Sequence, residues 1–292
     1  MHKILAFIVF IPGIIYAVAL IKGALSKENG MKGEKGSFAF MAAFEAGAYF
    51  LGTMGFSDYI FNSLILKKKK WAEDKRMVGT MVACCIVPNT IIASTYLRNG
   101  GNVSIVLLMI CICCVAFGSF MGSRAMSVVK ESTLKIVIGI AMTVSVCALL
   151  FKMFFGAGFT SVGADVSTVK LFIIAPVVFV LGFINMFGIP MKPTSTALFL
   201  LLGLEPMSAL TLMTAMSIAS PLSGGIKVVK SGNYNKKFAF AAVTFGTLGA
   251  IIGTRFTVSL NANVLNIILI IMLIVATISM LKPDKEKNKG GH

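Results

Sequence analysis

The hydrophobic pattern of the chain consists of long apolar runs separated by short, lysine-rich polar segments. One apolar run, residues 4–21, is followed by two series of four apolar blocks. The blocks of the first series are A (38–66), B (78–97), C (103–121) and D (134–151), and those of the second are A′ (171–202), B′ (208–222), C′ (238–256) and D′ (264–281). Because about 18 apolar residues suffice to span a bilayer, the pattern predicts an all-α polytopic membrane protein.

The two series correspond at nearly constant spacing, which indicates an internal duplication. Gly118 and Gly122 in C lie 131 residues before Gly249 and Gly253 in C′. Gly55 and Gly188 match at a spacing of 133, as do Pro88 and Pro221. The predicted organisation is an N-terminal transmembrane helix with its linker (1–36), a first repeat (37–152), a connecting loop (153–170), a second repeat (171–282) and a polar tail (283–292).

The distribution of lysine and arginine predicts that the repeats are inverted. If each A block enters and leaves the membrane on one side, 21 lysines and arginines fall on one side and five on the other, whereas a single crossing by each A block removes this bias. Cytoplasmic loops carry an excess of positive charge. We therefore expect block A to enter from the cytoplasm and A′ from outside, either as re-entrant hairpins or as pairs of short crossings.

Block A′ is interrupted by a polar, proline-containing stretch at residues 183–196, and inverted repeats often build substrate sites at such breaks. Gly188 permits a turn, Pro193 suits the first position of a new helix, and Thr194 and Ser195 supply hydroxyls in its first turn. A helix amino terminus with Lys192 beside it predicts a binding site for a small anion.

Lys192, Asp58 and Glu45 are the ionisable residues deep in the apolar blocks. An ionisable side chain at the membrane centre costs about 2.5–3.5 kcal/mol on insertion scales, so Lys192 requires a partner. Asp58 lies at the corresponding break of block A. It is a candidate either for pairing with Lys192 or for proton coupling, and Glu45 is a second proton-coupling candidate. Whether Lys192 holds a substrate or only Asp58 stays open at this point.

Four uncharged residues complete the predicted substrate site: Gly55, Ser57, Asn89 and Ser217. Ser57 can also cap the half-helix that follows the break in block A. Asn89 and Ser217 have an alternative structural role, because polar residues in membrane helices commonly form hydrogen bonds between helices.

Composition excludes several classes of function. The chain is 57% hydrophobic and 13% charged, with a mean hydropathy of +0.90, so its net charge of +16 reflects membrane orientation and no nucleic-acid partner is expected. The six cysteines lack paired metal spacing, and the two histidines are His2 and His292. We therefore predict no enzyme activity, no catalytic residues, no metal and no cofactor.

The second half of the chain resembles the sulfite exporter TauE/SafE family of membrane transporters. The resemblance rests on Gly188-Ile-Pro190, Ser217, Ser223-Gly224, Gly232-Asn233 and the run Gly246-x-x-Gly249-x-x-x-Gly253-Thr-Arg255. It implies a bacterial or archaeal inner-membrane permease for small anions such as sulfite or organosulfonates. The chain departs from the family pattern after Gly188, where Pro190, Met191 and Lys192 replace a glycine run.

We therefore expect a permease that moves a small anion by alternating access, with protons as a candidate coupling ion. Its partners are the anion and the lipid bilayer, and homo-oligomerisation is left open. The lysine-rich loops and the C-terminus are placed in the cytoplasm of a prokaryotic cell. The alternatives are a membrane scaffold that transports nothing and an intramembrane enzyme.

Overall fold

The computed structural model describes residues 2–25, 30–99, 103–125, 140, 143–144, 146–148, 150–151, 168–187, 189–224 and 232–281. All regular elements in these ranges are helical, as predicted. The helices are α1 (His2–Leu25), α2 (Phe38–Thr53), α3 (Asp58–Lys69), α4 (Asp74–Asn99), α5 (Ile105–Ala125), α6 (Thr168–Asn185), α7 (Met191–Leu201), α8 (Pro206–Gly224), α9 (Lys236–Ala241), α10 (Thr247–Ser259) and α11 (Ala262–Leu281), with a 3₁₀ turn at Met31–Gly33 and a π-helical turn at Ala242–Gly246.

Four helical segments in the described part of the chain are long and apolar enough to cross a membrane: Arg76–Asn99, Ile105–Ala125, Lys236–Ser259 and Ala262–Ser279. They correspond to blocks B, C, C′ and D′. The helix of block B′, α8, is 19 residues long but is not among them. Hydroxyl side chains are frequent along α8, and most of them are buried inside the protein, where hydrogen bonds replace contact with lipid. Most of block D lies outside the described residues, and those of its residues that are described are helical.

Blocks A and A′ each fold into a helical hairpin. In hairpin A, formed by α2 and α3, the Phe40 and Trp71 rings lie 5.8 Å apart, so the start of α2 and the end of α3 are adjacent. In hairpin A′, formed by α6 and α7, Lys170 Nζ donates a hydrogen bond to the Leu202 carbonyl at 2.9 Å. Each block therefore ends beside the point where it begins, which a single straight crossing would not allow.

The tip of hairpin A is a tight turn between α2 and α3. Gly55 in this turn has a φ of +99°, a conformation that side chains with a Cβ rarely adopt. A Cβ at Gly55 would lie 2.7 Å from Leu269 Cδ2 on α11. Glycine at position 55 thus allows both the backbone conformation of the turn and its close packing against α11. Gly188, its counterpart in hairpin A′, lies outside the described residues.

Block C packs against hairpin A′, and block C′ packs against hairpin A. A Cβ added at Gly118 would lie 2.0 Å from the Phe179 carbonyl oxygen, and one added at Gly249 would lie 2.0 Å from the Ala46 carbonyl oxygen. Ala46 precedes Phe179 by 133 residues, so the duplicated glycines make equivalent contacts. Such backbone contact between helices requires small residues. These contacts support the duplication read from the sequence.

The helix directions support hairpins that enter from opposite ends of the molecule. Helix α4 begins beside the base of hairpin A, where Arg76 forms an ion pair with Glu34, and α4 is long enough to span a bilayer. Helix α5 starts after the far end of α4 and runs alongside α6, with Gly118 on Phe179 and Gly122 on Phe183. The base of hairpin A′ therefore lies near the far end of α4. Which end faces the cytoplasm stays a prediction from the loop charges.

Cysteine labelling tests this arrangement. In a background with the native cysteines replaced, we expect Lys70→Cys to react with a membrane-impermeant maleimide only in inverted vesicles. Glu205→Cys, at the base of hairpin A′, should react only in right-side-out vesicles. Reaction of both positions from one side would contradict the inverted topology.

The glycine contacts predict a position-specific loss of stability. Gly249→Ala should lower the apparent melting temperature in detergent by several degrees, because overpacking typically costs about 1–3 kcal/mol and the neighbouring atom here is backbone. Gly47→Ala is the matched control, since a Cβ at Gly47 meets nothing within 4 Å and alanine favours helix. Equal effects of the two substitutions would contradict the close packing of α2 and α10.

Candidate functional site

The second arms of the two hairpins begin at the same place in the protein interior. Helix α3 begins at Asp58 and α7 begins at Met191. Asp58 and Met191 line one cavity together with Ser57 and Lys192. Two helix amino termini, each carrying a partial positive charge of about half an elementary charge, therefore converge there.

The start of α7 differs from the prediction in one detail. We expected Pro193 at the first helical position, but the helix begins two residues earlier, at Met191, with Pro190 as the preceding cap. Pro193 is tolerated at the third position because the N–H groups of the first helical turn have no intrahelical acceptor. Ser57 occupies the cap position of α3 as expected, yet its side chain makes no capping hydrogen bond.

Lys192 and Asp58 form a buried ion pair that joins the two hairpins. Lys192 Nζ lies 2.6 Å from Asp58 Oδ1, and the two side chains are 5% and 3% exposed, respectively. The same ammonium donates a hydrogen bond to Asn89 Oδ1 on α4 at 2.9 Å. The structure thus gives Lys192 the partner that its position in the membrane interior requires.

The contact with Lys192 orients the Asn89 amide. An ammonium group only donates hydrogen bonds, so the oxygen of the Asn89 amide must face Lys192 and the amide nitrogen must point elsewhere. Asn89 Nδ2 is buried and has no hydrogen-bond partner among the described residues, although Asn89 lines the cavity. Burying an unpaired donor is costly, which makes this nitrogen an available contact for a ligand.

The cavity between the hairpins is small. Its volume is about 20 Å³, enough for one or two water molecules. The residues that line it are Ser57, Asp58, Tyr59, Cys85, Asn89, Asn185, Met191, Lys192, Ser217 and Pro221. In this conformation the cavity is small and partly open, and both members of the ion pair line it.

The structure brings together five of the predicted site residues at the cavity: Ser57, Asp58, Asn89, Lys192 and Ser217. Thr194 and Ser195 are not among its lining. Their hydroxyls instead donate to backbone carbonyls of the preceding turn, at 3.5 Å to Pro190 and 3.0 Å to Lys192. Hydroxyl groups in helices commonly form such local bonds. A ligand-binding role for Thr194 and Ser195 stays a prediction without a contact at the cavity.

Glu45 lies on α2, in the same hairpin as Asp58, but does not line the cavity. It is fully buried. The nearby polar groups of the hairpin are Asp58, Tyr49 and Asn62. Glu45 is therefore placed within electrostatic range of the ion pair, on the arm of the hairpin opposite to Asp58.

Five residues of the cavity lining were not predicted as site residues from the sequence: Tyr59, Cys85, Asn185, Met191 and Pro221. Asn185, at the end of α6, donates a hydrogen bond to Ser220 Oγ at 2.7 Å, and Ser220 in turn accepts one from Ser119 at 2.7 Å. The break in block A′ that follows Asn185 could have indicated that this residue lies near the site. The matching positions of Pro88 and Pro221 in the two repeats could have pointed to Pro221. Nothing in the sequence pointed to Cys85 and Tyr59, because they look like ordinary residues of apolar helices.

Comparison with known proteins decides the family. A family model described as Sulfite exporter TauE/SafE matches residues 63–280, which is most of the chain. The chain belongs to this family. Comparisons with curated proteins and with solved structures return no match.

Membership in the TauE/SafE family identifies the chain as a membrane transport protein and confirms the resemblance read from the sequence. The matched region includes Asn89, Asn185, Lys192 and Ser217 of the cavity. Asp58 and the turn before it precede the matched region. The partner of Lys192 is therefore known from the geometry of this chain and not from the family match.

The ion pair predicts strong coupling between its two members. Lys192→Met and Asp58→Leu should each destabilise the protein by about 3–5 kcal/mol, because each leaves one uncompensated buried charge. The double variant should recover much of this loss, since an apolar pair removes both charges. Thermal unfolding in detergent measures all three. If the double variant loses as much stability as the two single variants together, the two charges do not depend on each other.

Proposed function

We propose that this protein is a permease that moves a small anion across the membrane by alternating access. Sulfite, an organosulfonate or a related oxyanion is the substrate class that family membership suggests. The observation that carries the proposal is the buried Lys192 ammonium next to the unpaired Asn89 amide nitrogen, both at the cavity between the hairpins.

The chemistry of the cavity favours an anion over a cation. Lys192 Nζ and Asn89 Nδ2 are hydrogen-bond donors, and the amino termini of α3 and α7 add partial positive charge. Asp58 is the one carboxylate among the lining residues that the structure describes, and it is already engaged by Lys192. A cation would meet the ammonium at the centre of the site, whereas an oxyanion would meet donors.

The small volume of the cavity supports a conformation without a bound anion. A volume of about 20 Å³ does not accommodate a polyatomic oxyanion beside the intact ion pair. Binding therefore requires the tips of the hairpins to separate and Asp58 to move away from Lys192. The hairpins enter from opposite ends of α4, so separation towards one end or the other would open the site to one side at a time.

Asp58 and Glu45 are the proposed proton-coupling residues. Asp58 touches the ammonium that would hold the anion, and Glu45 lies close to it in the same hairpin. We place the protein in the inner membrane of a prokaryotic cell with its lysine-rich loops in the cytoplasm. The motivation is the charge asymmetry of the loops.

Ligand-dependent stabilisation tests the function. We expect sulfite or a sulfonate to raise the melting temperature of the detergent-solubilised protein, since a ligand at 100 times its Kd stabilises by about 2.7 kcal/mol. Carboxylates of similar size provide the comparison, and labelled-sulfite counterflow in proteoliposomes measures transport. Absence of both stabilisation and counterflow with sulfite and sulfonates would overturn the proposed function.

Asn89→Leu tests the donor at the cavity. Because a hydrogen bond to a charged group is worth about 1.5–3 kcal/mol, the substitution should weaken sulfite binding by about tenfold to a hundredfold. Asn266→Leu is the matched control, since Asn266 is also buried with an unpaired amide oxygen but lies on α11, outside the cavity lining. Equal sulfite affinity in the two variants would exclude Asn89 as a ligand.

A further inference from the structure

The charges buried in the interior constrain how an anion can be carried. Three charged side chains are buried in the described part of the chain: Glu45, Asp58 and Lys192. Lys192 is therefore the one buried cation there. Its ammonium contacts Asp58 and Asn89, and Asn89 carries no charge.

Among the described residues, the surroundings of Asp58 offer no second counter-ion. Besides Lys192 on α7, the titratable side chains that face Asp58 are Glu45 and Tyr49 on α2, Tyr59 on α3, and Cys84 and Cys85 on α4. All of them are acids, so none can neutralise an anion. An anion that joins an ionised Asp58 would place two negative charges on one ammonium in a low-dielectric site.

We propose that Asp58 takes up one proton when the anion binds Lys192, so that the anion and a proton cross the membrane together. This inference rests on the proposed function and specifies its coupling. In the empty site Lys192 is paired with ionised Asp58. In the occupied site Lys192 is paired with the anion and Asp58 is neutral. For a monovalent anion, both forms of the site carry the same net charge.

Protonation also changes what Asp58 can contribute chemically. An ionised carboxylate only accepts hydrogen bonds, whereas a neutral carboxyl group can donate one. Neutral Asp58 would therefore join Lys192 Nζ and Asn89 Nδ2 as a third donor to the oxyanion. The Asn89 contact with Lys192 holds the ammonium in place while its ionic partner is exchanged.

The coupling makes the direction of anion transport depend on the anion gradient and the proton gradient together. An anion that leaves the cell with a proton must move down an anion gradient that exceeds the inward proton gradient. Under the opposite balance the same cycle carries the anion inward. The geometry of the site permits both directions, and the two gradients select between them.

Sulfite binding as a function of pH tests the inference in the full-length protein. The apparent Kd for sulfite is measured by thermal shift from pH 6 to 9 for the wild type and for Asp58→Asn, which mimics the neutral carboxyl group. We expect the ratio of wild-type Kd to variant Kd to rise by up to tenfold per pH unit in the alkaline range, because only the wild type must take up a proton. The protonation of sulfite itself is identical in the two measurements and cancels in the ratio.

A transport measurement on the wild type keeps the test independent of the folding of the variant. In proteoliposomes held at zero voltage with valinomycin and potassium, an inward proton gradient should drive accumulation of a labelled organosulfonate above its external concentration, after subtraction of uptake by protein-free liposomes. A sulfonate stays ionised throughout this pH range, so the pH difference alone does not trap it as it would trap sulfite. Nigericin should abolish the accumulation.

The outcomes separate the two proposals. The coupling is overturned if the ratio of Kd values does not change with pH. It is also overturned if an anion shows counterflow but a proton gradient does not drive its accumulation. In both cases the permease function stands. Absence of sulfite binding and of sulfite counterflow overturns the permease function, and the coupling with it.

Discussion

The buried ion pair between Lys192 and Asp58 is the interaction on which the rest of the structure depends. Neither charge is stable alone in an apolar interior, so the tips of the two hairpins must meet for either to be buried. Their meeting explains why blocks A and A′ are broken helices: each turn brings a helix amino terminus and one charged residue to the centre. It also explains the hairpin shape, because the two tips must reach each other from opposite ends of the molecule.

The surrounding helices keep this meeting point in place. Glycines in C and C′ allow α5 and α10 to pack directly on the backbone of the first arm of each hairpin. Helix α4 then supplies Asn89 at the midpoint, beside the Pro88 interruption, and α8 supplies Ser217 from the other half. Because block C packs against hairpin A′ and block C′ packs against hairpin A, each hairpin is supported by a helix of the opposite repeat.

Much of this arrangement could be predicted from the sequence, because it is recorded in patterns with a physical cause. The apolar blocks predicted the helices, the unequal distribution of lysines predicted that each A block enters and leaves on one side, and the matching breaks made Asp58 a candidate partner of Lys192. The roles of Asn89 and Asn185 could not be separated from ordinary interhelical hydrogen bonds, because they depend on which face of α4 and α6 meets the tips. Thr194 and Ser195 were expected at the site, but hydroxyls in a first turn can also bond to their own helix, and here they do.

The central claim is that the ion pair is the empty form of an anion site. A cryo-electron microscopy structure with saturating sulfite tests it most directly. We expect density for the oxyanion in contact with Lys192 Nζ and Asn89 Nδ2, with Asp58 displaced from the ammonium. Sulfite bound elsewhere, with the Lys192–Asp58 contact unchanged at 2.6 Å, would contradict it.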